Sequence, residues 1–305
     1  MKILVFGSNG LVGSSLKRTL PKHFLDEEIT FSTRKDANLF SFKETENLIN
    51  NISPNIIINA AARVGGIYAN NTNRTDFLIE NLKINLNILE STKNLENLKI
   101  INLGSSCIYP LNAKNPIKEE YLLTGKLEPT NSPYALAKIT AIELGNALRK
   151  EFNHKVINLM PTNLYGPNDN FSDKYSHVIP GLIKRMHDAK TNDLDIFEIW
   201  GSGKPLREFL FVDDLADCIA YLLEKDIDTD LLNVGSGEEI SIIELAKKIK
   251  NLIGFKGELS FDSKMPDGNP RKLLDSSKLY SLGWKPKVTL DDGLNLTYNW
   301  YKKNY

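Results

Sequence analysis

Ser105, Cys107, Tyr134 and Lys138 are the residues of this chain whose types and spacing could do chemistry. Tyr134-Ala-Leu-Ala-Lys138 places a phenol and an ammonium four residues apart. On a helix that spacing puts both on one face, with Cβ atoms about 5–6 Å apart. A lysine so placed lowers a phenol pKa from about 10 toward working pH. Such a phenol can protonate a carbonyl oxygen as hydride from a nicotinamide reaches the carbon. Ser105, in Gly104-Ser-Ser-Cys-Ile-Tyr-Pro110, supplies a further hydroxyl. A Tyr and a Lys at this spacing alone also read as a solvated helix face. Cys107, two residues past Ser105, adds a thiol for which a plain reductase has no use.

The elements that must position these groups begin at the amino terminus. Lys2–Phe6 reads as a buried strand, and Gly7, Ser8, Asn9, Gly10, Leu11, Val12 and Gly13 turn it into an apolar helix over Leu11–Leu20. Glycines at this spacing allow a tight turn, close approach of a pyrophosphate and close helix–strand packing. The phosphates then meet the positive end of the helix. A second strand, Glu28–Ser32, runs into Thr33-Arg34-Lys35. An NAD enzyme would carry an acidic residue at that strand end, and a cation favours a 2′-phosphate, so Arg34 points to NADPH. Asp36 reads as the start of the next turn.

Strands and helices then alternate. Asn55–Asn59, Lys99–Leu103 and Lys155–Met160 read as strands; Asp76–Lys93, Pro133–Glu151 and Val178–Ala189 read as helices. This alternation predicts an α/β fold with a doubly wound parallel sheet and chemistry at the carboxyl ends of its strands. Arg207–Val212 and Leu231–Val234 read as returns to the sheet, and Ser241–Tyr305 as mixed helix and strand. The expected division is 1–165 with 208–238 as the NADP-binding domain, and 166–207 with 239–305 as a smaller substrate-binding lobe. With 305 residues, 38 basic and 38 acidic, the chain has ample core and no global field for nucleic acid. No apolar run approaches the roughly 20 residues of a membrane span, and no signal peptide is read at the start. Two cysteines, Cys107 and Cys218, make no disulfide framework and point to a reducing cytoplasm. Cys218 reads as core, and no metal-ligand spacing links either cysteine to the histidines. His23, His154 and His187 read as polar helix or loop residues without a role.

The motifs GSNGLVG, AARVGGIYANN, GSSCIYP, LEPTNSPYALAK, PTNLYGPNDNF, SHVIP, WGSGKPLREFLFVDD and PDGNPRKLLD run nearly end to end. On them the chain resembles the GDP-L-fucose synthase family, the GDP-4-keto-6-deoxy-D-mannose 3,5-epimerase-4-reductases of the extended short-chain dehydrogenase/reductases. The resemblance implies a Rossmann-type fold, NADP(H) as cofactor, a GDP-sugar as substrate and a homodimer built on the two long helices. It implies Ser105, Tyr134 and Lys138 for reduction, and Cys107 and His177 for epimerisation. It also implies cofactor contacts at residues 7–13, Arg34, Leu103, Gly104, Ser105, Ser106, Lys138, Pro161, Thr162, Asn163, Leu164 and His177. Arg185, Trp200, Arg207 and Asp267 are implied for substrate. The family often carries a basic residue inside the glycine turn; this chain has Asn9 there, so that phosphate contact is weaker or supplied elsewhere.

The chemistry makes matching demands. A ketone at carbon 4 acidifies the protons on carbons 3 and 5, and inverting those centres needs a base on one ring face and an acid on the other. A thiol beside a cation suits the base, and histidine the acid. Ser105 and Tyr134 would hold the carbon-4 oxygen through both stages. Other readings stay open: Cys107 as a small buried hydrophobe, His177 as a residue opening a helix, Arg185 as solvated surface, Trp200 as a plug and Asp267 as a turn residue. For the whole chain the alternatives are a reductase alone, acting on a related GDP-4-keto sugar such as a heptose, and a catalytically silent NADP-binding module.

Overall fold

The computed structural model describes residues 1–173, 175–262, 264 and 267–305; Pro266, which opens PDGNPRKLLD, lies outside them. The first half of the chain runs through β1 (Lys2–Phe6), α1 (Leu11–His23), β2 (Glu28–Phe31), α2 (Phe42–Ile52), β3 (Ile56–Asn59), α3 (Ile67–Thr72) and α4 (Arg74–Glu90). It continues with β4 (Lys99–Leu103), α5 (Ser132–Phe152), β5 (Lys155–Pro161) and β6 (Asn163–Tyr165). Then come α6 (Val178–Thr191), β7 (Ile196–Trp200), β8 (Leu206–Phe211), α7 (Val212–Glu224), β9 (Leu231–Val234), β10 (Glu239–Ser241) and α8 (Ile242–Ile253). The last elements are β11 (Glu258–Asp262), β12 (Arg271–Lys272), α9 (Ser277–Ser281) and α10 (Leu290–Asn304).

Consecutive apolar residues, without polar alternation, make strands that are covered on both faces. Ile3 and Val5 of β1 enter one core cluster, while Leu4 and Phe6 enter another on the opposite face. Ile56 and Ile58 are separated from Ile57 in the same way. These strands form a parallel sheet of order β2-β1-β3-β4-β5-β9. Helices α1 and α7 pack together over one face, with buried Cys218 among their apolar residues, and α4 and α5 pack together over the other. This is the expected doubly wound, Rossmann-like α/β fold. No helix among the described residues is long and apolar enough to cross a membrane.

One strand departs from expectation. Leu231–Val234 joins the main sheet beside β5, but the segment expected as Arg207–Val212 does not. Its strand, β8, pairs with β6, β10 and β12 in a separate small sheet. β6, which follows β5 directly, stands outside the main sheet and gives β8 a parallel partner there. Phe209 and Phe211 then face a second core, built with α6, α8 and α10, while Leu210 faces the first. A further correction concerns His154. It is buried, with Nε2 at 2.9 Å from the Thr92 carbonyl, and does not lie in a polar setting.

Candidate active site

Strand β4 ends at Leu103, and the chain turns at once through Ser105 into a short 3-10 turn, Ser106–Ile108. The Ser105 hydroxyl accepts the Cys107 backbone N–H at 3.2 Å, which fixes serine and thiol relative to one another. Helix α5 starts immediately behind Asn131, with Pro133 in its first turn, where the ring needs no hydrogen-bond partner. Tyr134 and Lys138 both lie on the buried face of α5. The edge of Phe77 packs on the Tyr134 ring at 6.3 Å between centroids.

The electrostatics of this pair differ from the sequence expectation. Lys138 Nζ donates to the Leu103 carbonyl at 2.7 Å and lies 5.8 Å from the Tyr134 ring centre. Burial pushes the Lys138 ammonium down to about 8. Burial, reinforced by the nearby Cys107 sulfur, pushes the Tyr134 phenol up, and Ser105 only partly opposes this. Lys138 therefore does not depress the phenol here, because desolvation of a buried ring outweighs a cation already engaged by a carbonyl. The phenol is held protonated, in the form that can donate.

Cys107 is half-buried and takes two side-chain donors: Lys272 Nζ at 3.4 Å and Asn131 Nδ2 at 3.6 Å. His177 caps the N-terminus of α6 with extended backbone and no side-chain capping bond. Burial lowers its pKa, so the ring is mainly neutral near pH 7.

On the cofactor side, Gly7 has φ +76°, and a Cβ there would lie 2.6 Å from the Ala60 carbonyl oxygen. A Cβ at Gly13 would lie 2.2 Å from the Gly7 carbonyl oxygen. Gly10 caps α1 without a side chain, leaving the first N–H groups of Leu11, Val12 and Gly13 facing outward. Ser8 is buried and bonds the Ser32 carbonyl at 2.6 Å, tying the turn to β2. Asn9 accepts from Lys17 Nζ at 2.9 Å, so a cation does reach the glycine turn, from two helical turns away. Arg34 is exposed and, among the described residues, has no ion-pair partner. The Asp36 carboxylate folds back onto Thr33, accepting its N–H at 2.7 Å and its hydroxyl at 2.8 Å, as a turn residue does. Leu103–Ser106 and Pro161–Leu164 follow the carboxyl ends of β4 and β5. Thr162 Oγ1 and Asn163 Nδ2 both donate to the Glu208 carbonyl, at 3.1 and 2.8 Å. A side-chain-free cradle at a helix start, with Arg34 free at the next strand end, fits a dinucleotide bearing a 2′-phosphate.

On the other side lies a shelf of long-range contacts. Arg185 is not a solvated surface residue: its guanidinium lies 4.9 Å from the Trp200 ring and 5.4 Å from Phe197. Arg207 donates to the carbonyls of Leu206 at 2.9 Å and Asp267 at 3.1 Å. The Asp267 carboxylate accepts from Ser202 N and Oγ, each at 2.7 Å, and so clamps the turn after Trp200. Arg207 and Lys272 are register partners on adjacent strands. Lys272 and Asn131 escaped notice in the sequence, although both sit inside the quoted motifs, because they lie 165 and 24 residues from Cys107.

Residues 3–235 match the NAD dependent epimerase/dehydratase family. GDP-L-fucose synthase 1 of Arabidopsis thaliana is 48% identical over 303 residues, covering 99% of this chain and 94% of that one. A crystal structure of a GDP-6-OMe-4-keto-L-xylo-heptose reductase from C. jejuni superposes with a TM-score of 0.92 at 33% identity, covering 100% of this chain and 98% of the other. A GDP-L-fucose synthetase from Naegleria fowleri bound to NADP superposes with a TM-score of 0.89 at 30% identity, covering 100% and 93%. The chain belongs to the NAD dependent epimerase/dehydratase family and, within it, to the GDP-L-fucose synthase family.

Proposed function

We propose that the chain is an NADPH-dependent epimerase-reductase that converts a GDP-4-keto-6-deoxy-mannose into GDP-L-fucose. The observation that carries this reading is the meeting of a protonated phenol, Tyr134, with a thiol, Cys107, around Ser105 at the end of β4. Reduction accounts for the phenol; the thiol and its two donors require a second task.

In the first stage the Cys107 thiolate takes a proton from carbon 3 or carbon 5 of the sugar. An S–H bond forms, the C–H bond breaks, and its electron pair moves into an enolate whose charge lies on the carbon-4 oxygen. Ser105 and Tyr134 hydrogen-bond the oxygen where that charge develops. His177 delivers a proton to the opposite ring face from its imidazolium form and is left as the neutral imidazole that burial favours. In the second stage Tyr134 gives its proton to the carbon-4 oxygen. Lys138, charged below about pH 8, stands behind it. Residues 7–13, Arg34, Leu103–Ser106, Pro161–Leu164 and His177 would hold NADPH, which supplies the hydride. Arg185 and Arg207 would grip the diphosphate, with Trp200 beside them and Asp267 holding the turn that carries Trp200.

A second reading, reduction of a GDP-4-keto heptose without epimerisation, draws on the likeness to the C. jejuni reductase. Deuterium exchange separates the two. With NADP⁺ bound and reduction blocked, wild-type protein should exchange the protons on carbons 3 and 5 of GDP-4-keto-6-deoxy-mannose with deuterated water, and Cys107→Ser should not. No exchange by wild type, alongside turnover of the heptose substrate, would hand the case to the reductase.

We further infer a cytoplasmic homodimer. Ile79 and Leu86 on α4 lie on one face and, with Leu136 on α5, are 39–48% exposed. An apolar stripe on two adjacent helices suits a two-fold partner. The two unpaired cysteines suit a reducing compartment.

A further inference from the structure

We propose that the Lys272 ammonium is the counter-ion of the Cys107 sulfur when it acts as base, with Asn131 as the second donor, and so sets the rate of proton abstraction from the sugar. The proposal rests on the reading of Cys107 as the base. The distances are 3.4 Å from Lys272 Nζ and 3.6 Å from Asn131 Nδ2 to the sulfur.

Lysine side chains are flexible, so a close contact carries weight only where the backbone is fixed. Around Lys272 it is fixed on both sides. Lys272 pairs with Arg207 of β8 in parallel register. The Leu273 N–H donates to Asn115 Oδ1 at 2.8 Å, and the Leu273 carbonyl accepts from Ile117 at 2.8 Å. The Leu274 N–H donates at 3.1 Å to Glu208, a carboxylate that is completely buried and also accepts from Gly237 at 2.8 Å. Asp275 donates back to the Ile117 carbonyl at 2.8 Å. A segment so pinned delivers the Lys272 stem to one place.

The charge distribution distinguishes Lys272 from its neighbours. Arg271 is neutralised by Glu239 at 2.7 Å. Arg207 spends its hydrogen bonds on backbone carbonyls. Among the described residues Lys272 has no carboxylate within ion-pair distance, and its one hydrogen-bond acceptor is the Cys107 sulfur. The ionisable groups facing that sulfur are Lys272 from β12, Arg207 from β8 and Tyr134 from α5. Two of the three are cations, and Tyr134 is held neutral. A thiolate beside an ammonium is stabilised, and the thiolate is the reactive form. In the catalytic step it takes the substrate proton to become a thiol while the electron pair passes to the carbon-4 oxygen; Lys272 then favours returning that sulfur to its charged form. Lys272 is thus a positioning residue, acting through Cys107.

The test is the pH dependence of Cys107 alkylation by iodoacetamide, located by mass spectrometry, in wild type, Lys272→Met and Lys272→Arg. NADPH binding serves as the folding control, with Lys272→Gln read instead if the Met variant fails it. Lys272→Met should alkylate about tenfold more slowly at neutral pH, with the deficit fading as pH rises. Lys272→Arg should keep most of the wild-type rate. Carbon-3 and carbon-5 exchange should follow the same pattern. A wild-type alkylation profile in Lys272→Met overturns the proposal; if KM for the GDP-sugar rises at the same time, Lys272 is a diphosphate contact. If wild type shows no exchange while alkylation shifts as expected, the ion pair stands and it is the epimerase reading that falls.

Discussion

The glycine turn at 7–13 and the shelf that carries Trp200, Arg207, Asp267 and Lys272 are the two expected binding regions, and they are built differently. In the turn, the determining contacts are local or lie between neighbouring strands. Gly13 packs on Gly7, Ser8 bonds Ser32, and Lys17 reaches back to Asn9. On the shelf, the contacts join distant segments: Ser202 with Asp267, Arg207 with Asp267, and Lys272 with Cys107. A local turn is held by contacts within a few residues, whereas a shelf assembled from remote segments depends on each of them staying in place. Damage to the turn should therefore fall on cofactor affinity alone. Damage to the shelf should fall on substrate KM and on the thiol, and should spread from one segment to the next.

Tyr134 belongs to neither region and should show the largest effect. Tyr134→Phe removes the proton donor with little change of volume, so reduction should fall by about 10²–10⁴ while NADPH affinity holds. Stopped-flow reduction of an already epimerised substrate measures the first, and fluorescence titration of NADPH the second. Near-normal turnover would remove Tyr134 from the chemistry.

The next effect tests the turn side. Arg34→Ala should weaken NADPH binding by about ten- to a hundredfold, the range of a lost hydrogen bond to a charged group, and leave NADH binding nearly unchanged. Equal losses for the two cofactors would show that Arg34 does not read the 2′-phosphate. It would then fall to Lys17, whose ammonium already sits at Asn9, to supply the cation.

The smallest effect tests the shelf. Asp267→Ala frees Ser202 and loosens the turn after Trp200, so KM for the GDP-sugar should rise by about two- to tenfold with NADPH affinity intact. A loss of NADPH affinity as large as the rise in KM would mean that the two sides are coupled, and the comparison fails.

Much of this site was legible in the sequence. The strand–glycine–helix pattern gave the turn, the four-residue spacing of Tyr134 and Lys138 gave a shared helix face, and Asp36 read correctly as a turn residue. The stretch from Ser241, read only as mixed helix and strand, opens in the structure with a reciprocal cap between Ser241 and Glu244 at the start of α8, which Gly254 ends at φ +74°. The expectation that Lys138 depresses the Tyr134 phenol did not survive, since burial dominates both groups. Likewise β8 carried the right residues but was assigned to the wrong sheet.

Features fixed within a few residues were legible in the order of residues: periodicity, glycine stereochemistry and the identity of the reactive side chains. These depend on backbone sterics and on short chemical spacing, which the order of residues states directly. The partners of β8, the burial of Tyr134 and Lys138, and the meeting of Lys272 with Cys107 across 165 residues emerge only once the chain is packed. Strand pairing and desolvation are properties of the whole packed chain, and no local pattern encodes them.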